Sequence, residues 1–306
     1  MPIAPSGNRW IRWTAILFFN ACLSHAGAPV FDSNRAFNDL AKQCAFGPRV
    51  PGSKAHADCL AFLLAQLRSC TDKVRTQPFA AVEALRARAF RFTNIIASFG
   101  PSRDRVLLCA HWDSRAWADS DPEPKNRRKP VPGANDGASG AAVLLEMARL
   151  FKQNPPPIGV DLVWFDGEDG GLQERPDTWC LGSKYFAASL VQGLKPRAAV
   201  LIDMVGDRDL HLPVERNSQR YAPQLVQRIW GAAKRLGLPA FDPAPGYEIV
   251  DDHLELLNVG IPSVDIIDLD YPNYHTIGDT ADKCSAESLW TVGHLLVHVV
   301  YNPGLI

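Results

Sequence analysis

The spacing of apolar residues switches repeatedly between helical and strand-like periods along the chain. Leu, Phe and Ala recur at helical spacing over 33–44 and 54–72, so both segments are predicted to be helices. Residues 74–81 and 90–98 instead alternate apolar and polar side chains and are rich in β-branched residues. This pattern predicts two neighbouring strands that pair in the antiparallel sense.

Later segments follow the same two patterns in alternation. Four short, continuous apolar runs are typical of buried strands, at 105–110, 160–165, 198–202 and 263–267. Five segments have helical spacing, at 141–151, 183–192, 221–236, 252–257 and 286–301. Because strands alternate with helices and no linker interrupts them, we predict one three-layer α/β/α domain. Its helices flank a twisted, mostly parallel mixed sheet.

The N-terminus has the features of a secretory signal. Arg9 and Arg12 precede an apolar run over 16–23, and small residues follow up to Ala28. This order predicts a signal peptide over 1–28, a mature domain over 29–306, and export to the periplasm or the medium. Lipid attachment at Cys22 is the less favoured alternative because Asn20 fits such a site poorly. No later stretch is apolar enough for a transmembrane helix.

Composition describes an ordinary globular protein with material for a sizeable core. Of the 306 residues, 46% are hydrophobic and 21% are charged. The net charge of −1 gives no excess of positive charge that would favour binding to nucleic acid. Six cysteines remain beyond the signal segment: Cys44, Cys59, Cys70, Cys109, Cys180 and Cys284. In an exported chain they could form disulfides, and we predict Cys44–Cys59 first and Cys180–Cys284 second. The absence of a Cys-x-x-Cys pair makes a thiolate zinc site unlikely on this pattern.

The strand predicted at 160–165 ends in a cluster of acids and glycines. Asp166, Glu168 and Asp169 follow it, separated and flanked by glycines that let the backbone turn sharply. Ligands of open α/β sheets bind beyond the carboxyl ends of the strands. Adjacent carboxylates repel one another, and a cation would hold them together. A polar loop after a core strand is an equally good interpretation of this segment alone.

Other histidines and acids occupy comparable positions at the ends of the predicted strands or in the loops. They are His111, Asp113, Asp136, Asp203, Asp251, Asp252, His253 and His275. Each has an ordinary alternative, since Asp136 and Asp251 could simply cap helices and Asp203 could close a turn. Strand ends of a parallel sheet point the same way, so we expect the groups to converge. Histidine and carboxylate without thiolate suit a catalytic zinc with an open coordination position.

Five short motifs occur in the order of a known enzyme superfamily. They are His111-x-Asp113, the glycine-rich segment 133–140, Gly167-Glu168-Asp169, Leu201-Ile-Asp203-Met204 and Tyr274-His275-Thr276. Over residues 35–302 the chain resembles the M28 zinc aminopeptidases, and within them the bacterial-type glutaminyl-peptide cyclotransferases (glutaminyl cyclases). Two features favour the cyclases: the long connection from Asp169 to Leu181, and Asp251-Asp252-His253 ahead of Gly260.

The resemblance implies a role for most of these residues. Asp136, Asp169 and His275 would bind one zinc ion, and Glu168 would be the general acid/base, in a hydrogen-bond network with Asp203 and Asp251. In dinuclear aminopeptidases, the equivalents of His111 and Asp203 complete a second zinc site that Asp136 bridges. Asp113 would orient His111, and Asp252 would either bind the second metal ion or contact the residues that bind the metal. Residue identity therefore leaves one zinc or two open.

The chain departs from the animal cyclases in two places. The acidic pair is Glu168-Asp169 instead of Glu-Glu, so the second carboxylate is one methylene shorter. Tyr274 stands where animal cyclases carry Trp. The substrate pocket must be built differently, and we predict Trp112, Trp179, Tyr271 and Tyr274 as its wall, although each aromatic could equally be a core residue.

The predicted reaction is zinc-dependent cyclisation of an N-terminal glutaminyl residue to pyroglutamyl, with release of ammonia. The expected partners are N-termini of peptides or proteins, and the expected state is a monomer. The first alternative is a zinc aminopeptidase on the same fold, in which Glu168 activates water and two metals are present. The second is a non-catalytic zinc-binding module. Intact acids at every expected position argue against that module.

Overall fold

The structure is a computed structural model that describes residues 29–101, 103–190 and 196–306. The predicted signal segment 1–28, with Cys22, lies outside the described residues. So do residues 191 and 192, the last two of the helix predicted for 183–192.

Eight strands form a six-stranded sheet and a separate parallel pair. In chain order they are β1 (Val74–Glu83), β2 (Arg88–Phe99), β3 (Arg105–His111), β4 (Gly159–Phe165), β5 (Ala199–Asp203), β6 (Leu212–Val214), β7 (Phe241–Pro245) and β8 (Ser263–Ile267). The large sheet has the order β1-β2-β4-β3-β5-β8, and β6 pairs with β7. Strands β4, β3, β5 and β8 run parallel, whereas β1 pairs antiparallel with β2 and β2 with β4. The mixed, mostly parallel sheet is as predicted.

Helices cover both faces of the large sheet. They are α1 (Ser33–Ala45), α2 (Lys54–Cys70), α3 (Ala138–Gln153), α4 (Leu181–Leu190), α5 (Arg216–Tyr221), α6 (Pro223–Leu236), α7 (Asp252–Asn258) and α8 (Ala286–Tyr301). One hydrophobic core lies between the sheet and α1, α2, α3, α6 and α8, and a second lies between the sheet and α4 and α7. The three-layer α/β/α prediction is confirmed.

Strand β4 shows why the sequences of the central strands are continuously apolar. Successive side chains of a strand point to opposite faces, and here both faces are covered. Trp164 faces α3 and donates its indole N–H to the carbonyl of Ala141 at 3.1 Å. Phe165 faces the other layer and meets Phe186 edge-on, with ring centroids 5.5 Å apart.

Two sequence predictions of local structure were wrong in detail. The helix predicted for 221–236 begins two residues later, at Pro223, a residue favoured in the first turn of a helix, and the short helix α5 that precedes it was not predicted. Strands β6 and β7 were not predicted. β7 contains Pro243 and Pro245, which are normally confined to sheet edges and obscure a strand pattern.

The predicted disulfides are also wrong. All six cysteines in the described part of the chain are free thiols, so neither Cys44–Cys59 nor Cys180–Cys284 is bonded. The Cys59 sulfur lies 3.9 Å from the side-chain oxygen of Gln43, and the Cys180 sulfur lies 3.5 Å from Glu168 Oε1. The thiols of Cys59 and Cys180 therefore each lie beside a polar side chain. Within the described ranges, no helix is both long and apolar enough to cross a membrane.

Candidate active site

The carboxyl ends of the parallel strands place the candidate residues at one edge of the sheet. His111 is the last residue of β3 and Asp203 the last of β5, and the loop after β4 carries Glu168 and Asp169. Asp251 caps the N-terminus of α7, where its carboxylate accepts the N–H of Asp252 at 2.5 Å. The predicted convergence of strand ends therefore brings distant segments into contact.

Asp136, Asp169 and His275 form a first candidate metal group. His275 Nε2 lies 3.2 Å from Asp169 Oδ1 and 3.5 Å from Asp136 Oδ2. All three side chains are buried, and one ligand atom from each lies within 4.8 Å of the others. Asp136 Oδ2 and both carboxylate oxygens of Asp169 have no hydrogen-bond donor in the described part of the chain. Because an unpaired buried carboxylate is costly, this donor set fits a divalent cation such as zinc.

His111, Asp136 and Asp203 form a second group that shares Asp136 with the first. His111 Nε2 lies 3.1 Å from Asp136 Oδ1 and 3.1 Å from Asp203 Oδ1. Asp113 approaches His111 Nδ1 to 3.6 Å, and its carboxylate accepts the backbone N–H groups of Glu168 and Asp169 at 3.2 and 3.4 Å. One aspartate thus contacts the histidine and orders the acidic loop. The second group could bind a further metal ion.

A buried aspartate and a glycine fix the position of Asp136. Asp279 accepts the backbone N–H groups of Asn135 and Asp136 at 2.8 and 3.2 Å, and the hydroxyl of Tyr271 at 2.8 Å. Burial, together with the charge of Asp136, raises the pKa of Asp279 to about 7. Gly137 has φ +91°, and a Cβ there would lie 2.4 Å from the carbonyl oxygen of Asp113. Only glycine fits at this turn into α3.

Glu168 has the environment of a carboxyl group that holds its proton tightly. Burial raises its pKa well above the ordinary value, and the negative charges of Asp251, Asp169 and Asp252 raise it further, whereas His111 lowers it. The Cys180 thiol lies 3.5 Å from Glu168 Oε1, and the Cys180 N–H donates to the Glu168 carbonyl at 3.0 Å. A raised carboxyl pKa beside a cation-binding group is typical of a general acid/base.

Of the remaining acids of the predicted set, Asp251 lines the same cavity as Glu168, and Asp252 is fully buried. Burial and the charges of Asp203 and Asp252 raise the pKa of Asp251 well above its ordinary value, and burial raises that of Asp252 to about 7. His253 is fully buried between Glu215 and Asp265, at 3.2 and 3.6 Å. Asp166 lies 2.9 Å from His56 Nε2 and accepts the N–H of Thr93 at 2.6 Å, which is a structural contact between α2, β2 and the acidic loop.

One cavity of about 470 Å³ is lined by Glu168, by Asp136 and His275 of the first metal group, and by Asp203 of the second. Trp179 and Tyr274 form part of its wall, and both rings stack on His275, with centroids 5.9 and 3.7 Å away. Of the four aromatics predicted for the substrate pocket, these two line this cavity. A cavity of this volume falls within the usual range for small-ligand sites, about 300–1,000 Å³.

Trp112 and Tyr271, also predicted for the wall, do not line the cavity. Trp112 is fully buried, stacks on His56 at 4.3 Å and donates its indole N–H to the carbonyl of Thr93. Tyr271 is buried and its hydroxyl binds Asp279. Both aromatics support the site from behind, as core residues commonly do, and this corrects the prediction.

Sequence reasoning missed two contributors, Arg115 and Cys180. The Arg115 guanidinium is buried, donates to the carbonyl of Asp169 at 2.8 Å, pairs with Asp119 at 2.6 Å and lies 4.7 Å from the ring of Trp179. A lone arginine two residues after Asp113 gives no spacing signal. Cys180 could have been noticed in the sequence, because it directly precedes Leu181, the residue at which the long connection from Asp169 ends.

Comparison with known proteins gives a consistent result. The model of peptidase family M28 matches residues 94–300. A glutaminyl cyclase of Bacteroides thetaiotaomicron, solved with N-acetylhistamine bound, superposes with a TM-score of 0.87 at 37% identity, over 90% of this chain and 99% of that one. A leucine aminopeptidase precursor from the same organism gives 0.86 at 38% identity, with the same coverage.

A curated relative is more distant. The glutaminyl-peptide cyclotransferase of Boiga irregularis is 26% identical over 240 residues, which cover 67% of this chain and 64% of that enzyme. The chain thus spans a little under two thirds of the length of this relative.

Proposed function

The chain belongs to peptidase family M28, and we propose that within this family it is a glutaminyl-peptide cyclotransferase. It converts an N-terminal glutaminyl residue of a peptide to pyroglutamyl and releases ammonia. The observation that carries the proposal is the buried Glu168, which lies beside the Asp136–Asp169–His275 group in a cavity that admits a chain end. The likeness to a bacterial glutaminyl cyclase over nearly the whole described chain supports it.

We propose that Asp136, Asp169 and His275 bind one zinc ion. The two carboxylates and one imidazole, with unpaired oxygens and without a thiolate, are a donor set of the catalytic type. When bound, zinc supplies Lewis acidity to the side-chain amide carbonyl of the substrate and favours the negative charge that develops there. Trp179 and Tyr274, stacked on His275, hold the imidazole in orientation and limit the access of water.

Glu168 is the proton carrier in this proposal. The α-amine nitrogen attacks the side-chain amide carbon, and Glu168 accepts the proton that the amine loses. As the carbon–nitrogen bond to the leaving group breaks, Glu168 returns that proton and ammonia departs, which leaves a five-membered lactam. The transfer needs a carboxyl group with a raised pKa, and burial and the charge of Asp251 provide it. We place Asp203 and Asp251 in the same network because both line the cavity beside Glu168.

A zinc aminopeptidase is the second candidate function. The observation in its favour is the His111–Asp136–Asp203 group, which could bind a second metal ion, together with the likeness to a leucine aminopeptidase precursor. In that enzyme Glu168 would activate water. Metal counting by elemental analysis separates the candidates: one zinc per chain is expected of the cyclase, and two of the peptidase. The ratio of Gln-peptide cyclisation to Leu-anilide hydrolysis separates them independently.

We further propose that residues 1–28 are removed on export and that 29–306 is the catalytic domain, active as a monomer. The basic, apolar and small-residue order of the N-terminus supports export. N-terminal sequencing of the exported protein would test the first point, and sedimentation of the pure protein the second.

The function is tested by ammonia release from a Gln-initiated dipeptide amide, with and without a chelator. We expect release that the chelator abolishes and that stoichiometric zinc restores. A matched dipeptide that begins with Glu is the control, since it has no side-chain amide to lose. Hydrolysis of the peptide bond without ammonia release would favour the aminopeptidase.

A further inference from the structure

Residues 247–250 connect β7 to Asp251 at the active site, and α5 binds them along one side. The Tyr247 carbonyl accepts the N–H of Arg216 at 2.9 Å. The Ile249 N–H donates to Glu215 Oε1 at 3.2 Å, and the Ile249 carbonyl accepts from the side-chain amide of Asn217 at 3.1 Å. The segment is therefore held in place by the beginning of α5.

The opposite side of the segment has free main-chain groups. In an extended chain, the N–H and C=O of successive residues point in opposite directions. Since Tyr247 and Ile249 bond toward α5, the groups of Glu248 and Val250 point away from it. In the ranges that the structure describes, neither residue has a hydrogen bond from its backbone N–H or C=O. This is an unpaired strand edge, the feature onto which another extended chain adds.

The free edge lies between two cavities. Glu248, Ile249 and Val250 line the cavity of about 470 Å³ that contains Glu168, and they also line a neighbouring cavity of about 990 Å³. Pro176 is shared by both cavities from the other side. A chain whose first residue lies beside Glu168 would thus pass between Pro176 and this edge into the second cavity.

Charges in the second cavity already have partners. Arg220 pairs with the Glu248 carboxylate at 3.0 Å. The Lys184 ammonium donates to the Asp177 carbonyl at 2.7 Å and lies 3.9 Å from Glu255. With both signs present and paired, the cavity offers no strong preference for one type of charged side chain. The cavity is therefore better suited to bind the main chain of a ligand than a charged side chain.

We propose that residues 248–250 bind the substrate residues that follow the N-terminal one, by main-chain hydrogen bonds, as an added strand. The ligand is an extended peptide of little defined sequence, and the cavity of about 990 Å³ accommodates its downstream side chains. This inference rests on the proposed function only in placing the first substrate residue beside Glu168. It predicts that longer peptides are better substrates than dipeptides.

The test is a series of Gln-initiated alanine peptides from two to five residues, assayed for kcat/KM. We expect a rise of up to about tenfold per added main-chain hydrogen bond. N-methylation of the third or the fourth residue then distinguishes strand pairing from contacts of side chains. Because strand pairing uses alternate residues, one methyl group should abolish the rise in kcat/KM with peptide length and the other should not. A flat length series, or equal loss at both positions, would overturn the inference.

A pair of variants tests the protein side. Glu248→Pro removes the free N–H at this position, whereas Glu248→Ala keeps it and removes only the Arg220 pair. We expect the length-dependent gain to disappear in the proline variant and to persist in the alanine variant. If the proline variant does not fold, the N-methyl series with the unmodified protein still tests whether the substrate binds by main-chain hydrogen bonds.

The outcomes also separate this inference from the proposed function. Cyclisation of dipeptides with no gain for longer peptides would contradict the strand edge and leave the function standing. If no Gln-peptide is cyclised, the proposed function fails, and the same length and N-methyl series on Leu-initiated peptides, read out as hydrolysis, tests the edge.

Discussion

At the residue scale, proton transfer depends on the groups around Glu168. Burial makes the largest contribution to its raised pKa, and among the negative charges that raise this pKa Asp251 contributes most. Asp251 also caps α7, a position that asparagine fills as well as aspartate. Charge and structure at this position can therefore be changed separately.

Asp251→Asn should shift the pH dependence of the reaction. Removing a like charge lowers the pKa of Glu168, so its basic form persists to lower pH. We expect the acidic limb of the kcat/KM profile for a Gln-dipeptide to move to lower pH. The melting temperature serves as the control for the cap. An acidic limb that stays in place, or moves to higher pH, would contradict the assigned coupling.

The sequence predicted which acids and histidines lie close together better than it predicted the aromatic residues around them. Glu168, Asp169 and Asp203 could be found because they follow apolar strands, and His275 because it belongs to a short motif. The wall of the cavity could not, since an aromatic side chain in a core and one beside a ligand have the same local pattern. Trp112 and Tyr271 were misplaced for this reason.

At the element scale, the turn between β3 and α3 determines where Asp136 lies. Gly137→Ala should be strongly disruptive, because φ is +91° and the new Cβ would meet the Asp113 carbonyl at 2.4 Å. We expect a loss of stability of roughly 1–3 kcal/mol from backbone strain alone, together with loss of zinc binding. Chemical unfolding and zinc content are the measurements.

Gly237→Ala is the matched control for that variant. Gly237 also has a positive φ, +70°, at the end of α6, but nothing lies within 4 Å of an added Cβ. It should cost about 1 kcal/mol and leave zinc content unchanged. Equal effects of the two substitutions on zinc content would refute the role of the turn at Gly137.

The beginning of α5 depends on the carboxylate of Glu215. That carboxylate accepts the N–H groups of Asn217 and Ser218 at 2.8 and 2.5 Å and lies 3.2 Å from His253. Burial opposes its ionisation, but His253 and these N–H groups outweigh burial and lower the pKa of Glu215 to about 2. The stabilisation is present above the ordinary pKa near 4.5 and is lost as the pH falls through about 2.

Glu215→Gln should therefore destabilise the protein by about 3 kcal/mol at neutral pH, with the difference shrinking as pH falls from about 4.5 toward 2. Urea unfolding at several pH values measures it. Glu255→Gln is the control, since Glu255 makes only a 3.9 Å contact with Lys184 and should change stability little. A deficit independent of pH would contradict the ionic origin of the effect.

Periodicity predicted most of the helices and all six strands of the large sheet, because these elements bury a regular face. It did not find β6, β7 or α5. These short elements contain proline or span only three to six residues, and contacts with distant residues, such as that of Glu215 with His253, stabilise them more than local preference does.

At the scale of the whole molecule, the parallel order of β4, β3, β5 and β8 explains why the acids converge. Their carboxyl ends meet at one edge, so residues as far apart in the chain as Asp136, Asp203 and His275 line one cavity. Sequence alone could predict this convergence from strand direction. It could not predict cysteine pairing, which depends on distances between elements distant in the chain.

The protein should be stable without disulfides. All six cysteines of the described chain are free, so a thiol reagent should titrate six groups per mature chain in denaturant without prior reduction. The melting temperature should be the same with and without a reducing agent. Fewer than six reactive thiols, or a melting temperature that a reductant lowers, would contradict this arrangement.

The central claim is that Glu168 carries the proton while Asp136, Asp169 and His275 hold the metal. The most direct test is ammonia release from a Gln-dipeptide by Glu168→Gln, with the zinc content of the same sample measured. We predict a full zinc complement and a kcat lower by about 10²- to 10⁴-fold. Near-normal cyclisation by a zinc-loaded Glu168→Gln protein would contradict the account.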